Sequence, residues 1–233
     1  MLRKIISSAI AVVLAFSIIG CGAGRSSLYL SDLDPKFRVL PEKLGIDVIL
    51  NDYPVVGIEN HNNFHKSTAI LLTTYSITKE MVDDATSNLK KYAMDHIAGM
   101  TMDENIDSLI GDTPLDQLTV EQSAAVLMME KERDNISSNE TKYFLLTGAN
   151  LGIGVLSLIR SVQEIPDLLS NGKSMIINIR SDFTYMGIPK VWAIPAATTS
   201  LNESIKRLNA VKNDAPILLE DMKVLVDAFR ALS

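Results

Sequence analysis

Cysteine is almost missing from this chain: Cys21 is the only one, so no internal disulfide can form and no cysteine-based metal site can be assembled. Histidine is scarce too, at positions 61, 65 and 96, and there is a single tryptophan, Trp192. Few aromatics beside plentiful leucine and methionine suit packed helices better than a β-sandwich. Basic residues are outnumbered, 22 against 28 acidic ones, and that balance argues against a nucleic-acid partner and against electrostatic docking on anionic lipid. No Gly-x-Ser-x-Gly elbow, His-Glu-x-x-His pair or phosphate-cradling Walker loop occurs. Internal repeats and low-complexity blocks are absent as well.

What is present begins at the amino terminus. Arg3 and Lys4 precede an uncharged apolar run, Ile5–Ile19, which is short for a membrane span and has the layout of an export signal. It closes on Ile18-Ile19-Gly20-Cys21, which resembles the bacterial lipobox. That resemblance implies cleavage before Cys21, a diacylglycerol on its sulfur, and acylation (palmitate or a similar chain) of its new amine. Several acyl chains hold a membrane far more firmly than one. Gly22 stands where aspartate would retain an enterobacterial lipoprotein at the inner membrane, so the resemblance implies the outer membrane. Cleavage removes Arg3 and Lys4 and no acid, leaving 213 residues with a net charge of −8. The expected organisation is a signal peptide over 1–20, a lipidated flexible tether over 21–31, and one mainly helical domain over 32–233.

Within that domain, residues 32–58 carry three prolines and short apolar runs, so an irregular or extended wrap is expected. From about residue 66 the helical period dominates. Ile77, Met81, Val82, Leu89, Tyr92, Ala93 and Ile97 share one face, with Ser76 as the expected cap. Val120, Ala124, Leu127 and Met128 form a second stripe behind Thr119 and Gln122, a capping-box pair. Ser137 with Glu140 opens a third helix, and Ser200 with Glu203 a fourth. The last follows Asp214 and Pro216, with Leu218, Met222, Leu225, Val226, Phe229 and Leu232 in register. Residues 171–199 break the pattern: Asn171-Gly172 reads as a turn, Lys173–Arg180 as a strand or single helical turn, and Phe183–Pro195 as irregular. An all-α bundle of about five to seven helices is predicted.

Thr147-Gly148-Ala149-Asn150-Leu151-Gly152-Ile153-Gly154 resembles the TGxxxGxG fingerprint of short-chain dehydrogenases, whose glycines admit a pyrophosphate at a helix N-terminus. Only 79 residues follow Gly154, however, and Tyr185 has Pro189 where that family needs lysine. The alternative is that Gly148 and Gly152 let a central helix approach a neighbour closely. The same stretch belongs to 17 uncharged residues, Tyr143–Ile159, read as a buried central helix, with a spanning or membrane-inserting hairpin as the alternative. Ser76-Ile-Thr-Lys79 and Ser87-Asn-Leu-Lys90 match the Ser-x-x-Lys pair of penicillin-binding enzymes, but the companion Lys-Thr-Gly is missing. His61 and His65, four apart near Glu59, could share a metal on a helix, yet Glu59-Asn-His-Asn-Asn reads as a solvated polar loop.

The segment Phe183–Pro195 supplies the remaining candidates. Phe183, Tyr185, Met186 and Trp192 on irregular backbone would make a recognition surface, since aromatics bury much area with little rotamer loss. The simpler arrangement turns Phe183, Met186 and Trp192 inward to plug the bundle. These features together lead to the expectation of a non-enzymatic envelope lipoprotein that contacts the membrane through Cys21 and binds an envelope protein, peptide or apolar ligand. No cofactor and no metal is expected. The other possibility is a periplasmic enzyme: a hydrolase with a site built from distant residues, or a nucleotide-binding protein of the dehydrogenase kind.

Overall fold

The computed structural model describes residues 24–35, 38, 50–98, 104–185 and 193–233. The fold is mainly α-helical, with one two-stranded sheet among the described residues. Strand β1 (Gly24–Ser26) pairs antiparallel with β2 (Tyr53–Val55), Gly24 lying opposite Val55. Five helices follow among the described residues: α1 (Glu59–Ala98), α2 (Glu104–Ile110), α3 (Val120–Glu132), α4 (Ser138–Tyr185) and α5 (Ala193–Leu232).

The long helices α1, α4 and α5 form the bundle, about 60 Å long for α1 and α5 and about 72 Å for α4 at 1.5 Å per residue. Helix α4 runs antiparallel to both neighbours, and its glycines record the register. Gly172 faces Phe64 and Ile205, Gly154 faces Met81 and Met222, and Gly148 faces Phe229. Each step down α4 is thus matched by an equal step up α1 and α5, which keeps one continuous apolar seam. Leu158, Ile165, Leu201, Leu208, Met222 and Leu89 in that seam are fully buried. At one end Tyr92, Phe144 and Phe229 stack with centroids 5.6 and 5.8 Å apart. There α3 packs on α1 and α5, and Lys131 Nζ donates to the Leu232 carbonyl at 2.8 Å.

Two of the expected helix starts are present in full. Thr119 Oγ1 accepts from the Gln122 N–H at 3.1 Å while Gln122 Oε1 accepts from the Thr119 N–H at 3.0 Å. Ser137 and Glu140 make the same reciprocal pair, at 3.2 and 2.8 Å. Elsewhere the helices are longer than expected. Ser76 lies in the middle of α1 and its hydroxyl donates back to the Leu72 carbonyl at 3.0 Å, so it caps nothing. Ser200 and Pro216 are both interior to α5, because Ala197, Leu201, Leu208, Val211, Ala215 and Leu218 form one unbroken buried stripe across both sites. The predicted break at 171–199 is likewise corrected where the chain is described. Asn171, Gly172 and Lys173–Arg180 are helical, since Gly172 serves close packing rather than a turn, and α5 already includes 193–199. Positions 22 and 23 of the expected tether lie outside the described residues, as do 36 and 37 and 39–49 of the expected wrap. From residue 24 onward the tether is not loose: β1 is paired and Leu28 and Leu33 are buried in the core.

Candidate functional site

The first turns of α1 carry His61, Phe64, His65 and Thr68 on one face, and all four are buried. The expected solvated loop is therefore corrected: Glu59 and its asparagine neighbours begin the helix, and Asn62 Oδ1 accepts from the Val56 N–H at 2.8 Å. Period 3.6 then turns the histidines inward. His61 Nε2 donates to Asp182 Oδ2 at 3.0 Å. His65 Nδ1 shares a hydrogen bond of 3.1 Å with Ser204 Oγ on α5. Burial, reinforced by the neighbouring His61, holds the His65 ring down at about 4. His61 Nδ1, His65 Nε2 and Thr68 Oγ1 have no partner among the described residues.

This cluster is a buried polar network. Asp182 is paired with one histidine and Ser204 with the other, so no single acid–base relay joins them. Both rings are buried, at 0% and 1% exposure. Ser76, exposed on α1, is not part of the group. Among the described residues no three histidine, cysteine or acidic side chains come together to hold a metal.

Phe183 is 3% exposed and meets the His61 ring edge-on, with centroids 6.4 Å apart, so this candidate of the aromatic segment turns inward. The Tyr185 side chain, Met186, Trp192 and the lipobox cysteine Cys21 lie outside the described residues. The glycines of the dehydrogenase-like motif are interior to α4, where their N–H groups belong to the helix ladder and no helix N-terminus faces a phosphate. Gly148 is a close-approach position against Phe229, whereas Gly152 faces open space.

Two apolar surfaces stand out, the second of them on the uncharged run Tyr143–Ile159 noted in the sequence. One is an open groove of about 380 Å³ between α3 and α5, lined by Ala124, Ala125, Ala228, Ala231, Met128 and Val224 together with Glu121 and Asp227. The other is the outer side of α4, where Leu145, Leu146 and Leu156 are 50%, 53% and 64% exposed. The most apolar 18-residue stretch of that helix, long and apolar enough to cross a membrane, is only 28% buried, so burial in the core does not account for its composition.

No protein-family model, curated protein or solved structure matches this chain significantly.

Proposed function

We propose that the chain is a non-enzymatic lipoprotein of the bacterial envelope, held by lipid on Cys21 to a membrane outside the cytoplasm, with Gly22 favouring the outer membrane. Its bundle binds a peptide or other apolar segment of an envelope partner in the groove between α3 and α5. The observation that carries this reading is the groove's lining. Four alanines let a partner approach the backbone closely, and Met128, 37% exposed, offers an adaptable apolar contact. Glu121 and Asp227 in that lining favour a segment with basic flanks, in the manner of helix-in-groove recognition.

Comparative recovery from detergent-solubilised envelopes tests it. The full-length protein is expected to retain a discrete partner that Ala228→Glu releases, because the new carboxylate would be desolvated by an apolar occupant. Recovery of nothing beyond what a Cys21→Ser control retains, or equal recovery by Ala228→Glu, contradicts it.

A further inference from the structure

We infer that the amino-terminal half of α4 is a second membrane contact, lying flat in the bilayer interface with its outer stripe in the lipid. From Tyr143 to Ile159 the helix has no charge, and its outward line is Leu145, Ala149, Gly152 and Leu156, flanked by Leu146. Beyond Arg160 the same line turns polar through Gln163, Asp167, Ser170 and Ser174 before Ile177, itself 81% exposed, so the continuous apolar stripe ends near Arg160.

The ends of the stripe identify what covers it. Lys142 and Arg160 are 18 residues apart, five full turns, so both project along one line on the same side as the leucines and about 27 Å from each other. Both are exposed, and neither makes an ion pair or side-chain hydrogen bond among the described residues. Two unpaired cations at the two limits of an uncharged apolar face can reach phosphates while their stems and the leucines sit among acyl chains. A second copy of this face would instead bring Lys142 and Arg160 of one chain against cations of the other, whether paired parallel or antiparallel. Attachment works in the same direction. Only residues 22 and 23 separate Cys21 from β1, so a lipid on Cys21, as proposed, keeps the domain within about 10 Å of the bilayer at that end. The stripe lies towards the other end, Leu145 being 37 residues or about 55 Å along α4 from Asp182, so engaging both contacts at once would lay the long axis of the bundle along the membrane.

Lipid-dependent quenching tests this contact directly. Leu145→Cys, Leu156→Cys and, on the charged face of α1, Asp84→Cys are labelled with an environment-sensitive dye in the full protein. Each is reconstituted in phosphatidylethanolamine–phosphatidylglycerol vesicles containing acyl-chain spin-labelled lipid. The inference expects blue-shifted emission and quenching at 145 and 156, and neither at 84. Water-like, unquenched dye at 145 and 156 overturns it. So does a blue shift without lipid quenching, which would mean that protein covers the face. Repeating the measurement on Ala228→Glu separates this contact from the groove, since that variant should leave the quenching unchanged.

Discussion

His61 and Asp182 tie the first turn of α1 to the last turn of α4, Nε2 to Oδ2 at 3.0 Å, although 120 residues separate them in the chain. The ring is fully buried while the carboxylate keeps one side towards solvent, at 34% exposure. Removing the acceptor would leave a buried N–H unsatisfied. Asp182→Ala is expected to lose about 1–3 kcal/mol in urea unfolding, and Asp182→Asn, which keeps an acceptor oxygen, clearly less. Equal losses in the two variants would show that the bond contributes little.

His65 gives the fold an acid-sensitive step. Its ring is held at about 4 in the folded state against 6.5 for a fully solvated histidine, so between those pH values the unfolded chain binds a proton that the native one does not. Stability is therefore complete above about pH 6.5 and falls as pH drops towards 4, by roughly 3 kcal/mol at the lower limit. Urea midpoints measured from pH 4 to 7 should rise with pH, and His65→Asn should flatten that rise. An unchanged slope in the variant would assign the acid sensitivity to other groups.

Two glycines of α4 should respond in opposite senses to alanine. A Cβ at Gly152 meets nothing within 4 Å, so Gly152→Ala gains helix propensity, about 1 kcal/mol. A Cβ at Gly172 would sit 2.8 Å from Phe64 Cζ and 3.1 Å from Ile205 Cγ1, both in the packed interior, so Gly172→Ala is expected to be destabilising. Thermal melts of the two variants beside the parent protein decide this. A stabilised Gly172→Ala would mean that α1 and α4 are not closely packed there.

The aromatic end of the bundle should be sensitive to truncation. Phe229 is 1% exposed and packs on Phe144, with centroids 5.8 Å apart. Phe229→Ala is expected to cost about 3–5 kcal/mol, measured by denaturant unfolding. A loss below about 1 kcal/mol would mean that the site collapses or was never tightly packed.

The features read correctly from sequence are those decided within a few residues. Thr119 with Gln122 and Ser137 with Glu140 satisfy free N–H groups locally, and each opens a helix where expected. Ser200 with Glu203 has the same spacing and opens nothing, because Ala197 and Leu201 already lie buried on a helix that began at Ala193. The turn signal Asn171-Gly172 fails for a similar reason: Phe64, 108 residues away, needs the space that a side chain at 172 would fill. His61 and His65 are hard to judge locally because their polar neighbours suggest a loop, while their partners Asp182 and Ser204 are distant in the chain. The uncharged run Tyr143–Ile159 is visible in the sequence, but its exposure depends on which sides α1 and α5 leave uncovered.

Attachment at Cys21 decides where the groove and the α4 stripe can act, and the mass of the amino-terminal peptide from protein purified out of native membranes tests it directly. Cleavage before Cys21 with a diacylglycerol on its sulfur and an acylated amine is the predicted result. A chain that still begins at Met1, or an unmodified Cys21 thiol, would contradict it.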